Sequence, residues 1–128
     1  MRSAFFTLAI AFGGVSSVMG QGTPRLISPT ANSEIGLNQF VEYTRPGHLV
    51  SEDTRVQVTL SNATWSDSLT PFPTFSPGNG PQDIAKGNLS INATEWAEGA
   101  YNFTVTEISP FKGTIATITV PVTLNYDA

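Results

Sequence analysis

Apolar and polar residues alternate along much of this 128-residue chain, and the alternation stops and restarts at turn-forming residues. From Thr54 to Leu60, Val56, Val58 and Leu60 face one way and Arg55, Gln57 and Thr59 the other. A period of two marks a strand with one buried face. The pattern recurs from Lys86 to Ala93, where Leu89 and Ile91 oppose Asn88, Ser90 and Asn92. It recurs again from Tyr101 to Glu107, with Tyr101, Phe103 and Val105 on one face, and from Thr114 to Leu124, with Ile118, Val120, Val122 and Leu124. Arg25–Ile27 and Gln39–Thr44 are shorter runs, closed by Ser28-Pro29-Thr30-Ala31-Asn32-Ser33 and by Arg45-Pro46-Gly47. Pro121 has no N–H to give a ladder, so the last strand is expected at an edge or bulged there.

No helical period appears after residue 20. Six to seven short strands separated by turn signals predict an antiparallel β-sandwich of immunoglobulin-like type, without a disulfide because the chain has no cysteine. Trp65 and Trp96 fit either the core or its rim. Pro110-Phe111-Lys112-Gly113 reads as a turn. The stretch from Ser61 to Pro81 breaks the pattern. It holds Pro71, Pro73, Pro77 and Pro81 among Ser, Thr and Gly, and it predicts a long Pro-rich loop at about 61–84.

Residues 1–20 carry Arg2, the apolar run Ala4–Phe12, and then small residues up to Val18-Met19-Gly20. That is the order of a secretory signal peptide cut before Gln21, and the run is too short to span a membrane. The expected product is a secreted, extracellular domain of residues 21–128, 108 residues long. Without Arg2 its 5 basic side chains face 10 acidic ones. An acidic chain with few scattered Lys and Arg is not expected to bind nucleic acid. The lack of cysteine excludes thiol catalysis and cysteine-based zinc sites. The end, Leu124-Asn125-Tyr126-Asp127-Ala128, has no apolar tail, so no membrane anchor is expected.

Four N-glycosylation sequons stand at Asn62-Ala63-Thr64, Asn88-Leu89-Ser90, Asn92-Ala93-Thr94 and Asn102-Phe103-Thr104. Asn88 and Asn92 share a strand face, and Asn102 lies outward on the following strand. Were those strands a hairpin, three glycans would cover one sheet face and leave binding to another surface.

The candidate binding loop is the Pro-rich one, through Trp65, Phe72 and Phe75. Exposed aromatics beside prolines dock onto proteins or stack on sugars, unless they fold back and cap the sandwich. His48, the only histidine, sits in a turn and cannot build a multi-histidine metal site. Glu42, Glu95, Glu98 and Glu107 are scattered, with no marked pair for glycoside hydrolysis. Glu52-Asp53 reads as a solvated turn, and Asp67 and Asp83 lack a calcium-loop series. No catalytic residue, metal or cofactor is expected.

The assembled pattern is Leu26–Ser33, a strand ending at Thr44-Arg45-Pro46, Arg55–Leu60, the block Tyr101–Glu107, and a final strand through Val122–Asn125. It resembles the fungal small secreted immunoglobulin-like proteins grouped with the necrosis-inducing secreted protein effectors. The resemblance implies a non-enzymatic effector acting on host plant immune signalling at receptor-like kinases. It carries over no catalytic residue. The expected partner is therefore an extracellular or host protein, with cell-wall polysaccharide as the alternative.

Overall fold

The computed structural model describes residues 23–46, 54–76 and 82–128. The signal-peptide reading, Gln21, His48 and Glu52-Asp53 lie outside the described residues. Two sheets pack face to face. One holds β1 (Arg25–Ser28), β3 (Asn38–Pro46), β7 (Gln82–Ser90) and β6 (Thr74–Ser76) in the order β1-β3-β7-β6. The other holds β2 (Ser33–Ile35), β9 (Gly113–Leu124), β8 (Gly99–Ser109), β4 (Arg55–Ser61) and β5 (Ser66–Leu69) in the order β2-β9-β8-β4-β5. Pairing is antiparallel except between β2 and β9, which run parallel through Ser33–Ile35 and Val122–Leu124. The β-sandwich read from the sequence is thus the architecture.

The alternating residues supply the core. Val41 and Tyr43 of β3, and Ala85 and Leu89 of β7, meet Val56, Val58 and Leu60 of β4, Tyr101, Phe103 and Val105 of β8, and Val122 and Leu124 of β9. Fully burying each such side chain contributes roughly 1.5–3 kcal/mol, which is how a sandwich without crosslinks offsets its chain entropy. The turn at Pro110–Lys112 closes the β8–β9 hairpin. Gly113 there adopts φ 77°, a left-handed conformation that other residues take only with strain. The Ser109 hydroxyl accepts the N–H groups of Phe111 and Lys112 at 3.2 Å.

Three expectations need correction. There are nine strands among the described residues, not six to seven. Two of the additional ones, β5 and β6, lie inside the stretch 61–84 that the sequence assigns to a loop, and β7 already begins at Gln82. The prolines sit between these strands: Pro71 and Pro73 make the connection, so no ladder donor is lost. Pro73 is buried, and the Cβ direction of Gly87, on the inward parity of β7, points at the Pro73 Cα 3.7 Å away. The segment is therefore packed as a sheet edge. β2 is the other strand the turn signals masked.

The third correction concerns the glycan face. β7 and β8 do not form a hairpin, because they belong to opposite sheets. Asn88 and Asn102 are exposed on different faces of the sandwich. Pro121 stands at the point where β9 gains its neighbour. Its carbonyl accepts the Asn32 N–H at 2.7 Å, and β2 pairs only from Val122 onward. The bulge in β9 is elsewhere, opposite Glu107 and Ile108.

Candidate functional site

The end of the sandwich where β3 and β8 finish and β4 begins holds the buried ion pair found among the described residues. Parity places it there. Arg45 follows Val41 and Tyr43 on the inward face of β3, and Glu107 follows Phe103 and Val105 on the inward face of β8. Glu107 is 1% exposed and Arg45 is 7% exposed. Burial of either alone would be costly, so the neighbours are decisive.

The Tyr43 hydroxyl donates to Glu107 Oε1 at 2.8 Å. The Thr54 hydroxyl donates to Oε2 at 2.9 Å. Arg45 Nη1 approaches Oε2 at 2.9 Å, a charge contact rather than an aligned hydrogen bond. Arg45 Nη2 pairs with Asp83 Oδ2 at 3.2 Å, and Asp83 is its register partner across β3 and β7. The guanidinium lies 4.2 Å from the centroid of the Phe75 ring, which tilts against Tyr43 with 6.1 Å between ring centroids. Arg45 thus ties its own sheet to the facing one and is roofed by an aromatic ring.

Burial pushes the Tyr43 hydroxyl far above its ordinary value, and the Glu107 charge adds to the effect. The raised value means that the folded state keeps a proton that unfolded tyrosine gives up near pH 10. The stabilisation is complete below that pH and declines as pH rises above it. This group should therefore lower stability progressively as pH rises above 10. The Tyr43→Phe variant should lose that slope in urea melts between pH 9.5 and 11, while being less stable at neutral pH because Glu107 loses a donor.

A cleft of about 460 Å³ opens beside this network, lined by Arg45, Thr54, Arg55, Phe72, Thr74 and Phe75 among others. Phe72 is 36% exposed there. Phe75 is half-buried and packs against the core, so of the loop aromatics it is the one that folds back.

Trp65 lies elsewhere. It sits in the β4–β5 turn, whereas the cleft adjoins Arg55 and Val56 at the other end of β4. Seven residues of β4 separate the two places by roughly 20 Å at the rise of a strand. The candidate binding loop is therefore two surfaces. Trp65 is half exposed and meets the buried Trp96 edge-on with 6.2 Å between ring centroids. Trp96 meets Tyr101 at 5.5 Å. Trp96 also walls a smaller polar cleft of about 280 Å³ with Ser68, Thr70, Ser90, Asn92 and Glu95.

All four sequons belong to this second end. Asn62 follows β4, and Asn92 follows β7. Asn102 pairs with Ser61, and Asn88 pairs with Phe40 near the start of β3. Each of the four Asn side chains is exposed.

The remaining carboxylates do not converge. Glu98 accepts the Tyr126 N–H at 2.8 Å, and the Tyr126 hydroxyl donates to the Trp96 carbonyl at 2.6 Å, which fastens the chain's end to the β7–β8 connection. Asp67 accepts the Ser68 N–H. Among the described residues no group of three or more His, Asp or Glu could hold a metal ion. No helix among them is long and apolar enough to cross a membrane.

The sequence presents Arg45 as a turn residue and Glu107 as one of several scattered carboxylates, and does not bring them together. Their signal was present: each continues an inward parity, and they carry opposite charges. A charged residue on a buried face is a request for a partner.

No protein-family model and no curated protein matches the chain. Among solved structures, the chain is similar to the endo-β-1,4-mannanase from Thermotoga petrophila, with a TM-score of 0.54 and 13% sequence identity over 85% of this chain and 21% of that one. The chain spans about a fifth of that protein's length, and the likeness is one of fold.

Proposed function

We propose that this is an extracellular, non-catalytic binding protein that engages a partner protein through the cleft at Arg55, Phe72 and Phe75. The observation that carries this reading is the cleft's composition and setting. It joins aromatic and arginine side chains, the types that dominate protein–protein binding energy. Pro71 and Pro73 flank Phe72 and restrict its backbone, which lowers the entropy lost on docking. The end that holds the cleft has no sequon, so glycans would leave it bare. The strand order β1-β3-β7-β6 against β9-β8-β4 supports an immunoglobulin-like reading of the sandwich. The partner in this reading is an extracellular or host protein, and the sequence resemblance to necrosis-inducing secreted effectors supports a host receptor-like kinase as the one to test.

Phe72→Ala tests the cleft. Against immobilised receptor-kinase ectodomains, this substitution should weaken binding at least about tenfold, as expected when an interface aromatic is truncated. Undiminished binding would remove the cleft from the interface.

A second reading has its own observation. Half-exposed Trp65 packs against Trp96, which walls a polar cleft, and one structurally similar protein is a mannanase. Retention on mannan, chitin or glucan that is lost in Trp65→Ala, yet kept in Phe72→Ala, would make this a carbohydrate-binding module.

A further inference from the structure

We infer that Trp65 is the docking surface for the chain's own N-glycan on Asn62, an inference that rests on the extracellular reading. The two residues share one closed turn. The Asn62 N–H donates to the Trp65 carbonyl at 2.8 Å. The Asn62 Oδ1 accepts the N–H groups of Thr64 and Trp65, each at 2.9 Å, and the Thr64 hydroxyl at 3.1 Å. The amide oxygen is thereby consumed inside the turn. The Nδ2 atom, which carries the sugar in an N-glycan, belongs to an exposed side chain held three residues from an exposed indole.

Trp96 packs against that indole with an interplanar angle of 68°, and Trp96 is itself 3% exposed and packed against Tyr101, so the half-exposed ring rests on a buried one. The chemistry fits an N-acetylhexosamine. Its N-acetyl methyl and the C–H face of its ring are apolar and positively polarised, and an indole face is apolar and electron-rich. A sugar tethered to Asn62 is held at high effective concentration near a ring three residues along the same closed turn. Trp65 so covered would not be open to a polysaccharide from outside.

The molecule contains its own control. Asn92-Ala93-Thr94 repeats the turn chemistry, with Asn92 Oδ1 accepting the Thr94 N–H at 2.9 Å and the Thr94 hydroxyl at 2.8 Å. One extra residue, Glu95, then precedes the tryptophan, and Trp96 turns into the core. A glycan on Asn92 therefore follows the same turn without an exposed ring at the matching place.

The experiment is NMR of the full chain secreted from a glycosylating eukaryotic host, with sites mapped by mass spectrometry. The N-acetyl methyl of the first sugar on Asn62 should be displaced upfield by the indole ring current. The same methyl on Asn92, or on Asn88 or Asn102 if Asn92 is bare, should resonate at its ordinary position. Trp65→Ala should abolish the displacement, and Trp65→Phe should keep part of it. An Asn62 methyl at the ordinary position in the wild-type protein would overturn the inference without needing any variant. Secretion with Asn62 bare would overturn it while leaving the extracellular reading intact. A chain retained in the cell with no sugar at any sequon would overturn both.

Discussion

Glu107→Ala should lower the unfolding free energy by roughly 3–5 kcal/mol, the usual cost of removing one partner of a buried ion pair. Domains of this size have only about 5–15 kcal/mol in total, so the variant should sit near the edge of folding at 37 °C. Two hydroxyls, of Tyr43 and Thr54, lose their acceptor, and Arg45 Nη1 loses its charge partner at the same time. Asp83 still neutralises part of the Arg45 charge from a more exposed position, which favours the lower end of the range. The sharper comparison is the double variant Arg45→Met, Glu107→Leu. It removes both charges and fills the same space, and such replacements are commonly neutral or stabilising. Urea melts with unchanged slope should therefore show the double variant well above Glu107→Ala. If the double variant were as unstable as the single one, the stranded charge would not be the dominant factor, and the Tyr43 and Thr54 hydroxyls left without an acceptor, or the packing around Tyr43 and Phe75, would be.

The same residues show how far the fold was legible in the sequence. Val56, Val58 and Leu60, and Tyr101, Phe103 and Val105, announce their strands because a half-buried strand must alternate. The hairpin at Gly113 is legible because its turn demands a residue tolerant of positive φ. β5 and β6 were not legible, since Ser66–Leu69 and Thr74–Ser76 are short, largely polar edge strands whose pairing comes from β4 and β7 rather than from their own side chains. Which strands pair was also hidden. β7 and β8 are consecutive and alternate in the same way, yet they cross between sheets, and nothing local to Asn92–Glu98 states that. The candidate site suffered from the same limit. Trp65, Phe72 and Phe75 are close in sequence, but β5 and Thr70, which bridges Ser90, stay at the Trp65 end, and only the residues after Thr70 run along β7 to the other cleft. Arg45 and Glu107 are 62 positions apart, and only the facing of two sheets brings them to 2.9 Å.

Trp96→Ala should cost roughly 3–5 kcal/mol, as for other large aromatic truncations in a core. Trp96 is 3% exposed and stands between Trp65 and Tyr101, so its removal opens a cavity on one side and releases Trp65 on the other. The Tyr126 hydroxyl bonds to the Trp96 backbone carbonyl, which the substitution keeps, so the fastening of the chain's end should survive. The loss is therefore expected in the sequon-bearing end and not in the Arg45–Glu107 network. Hydrogen exchange should rise in residues 62–66 and 92–101 and stay near wild type in Tyr43–Arg45 under native conditions. Trp65→Ala without glycans is a contrasting case, because a half-exposed ring contributes little burial, and it should cost under about 1 kcal/mol. With only Trp65 left to emit, fluorescence of the Trp96→Ala protein should shift to the red, as expected of an indole that has lost its brace and faces water. A blue-shifted emission would mean that Trp65 collapses into the vacated space, and the Asn62 turn would then have to move with it.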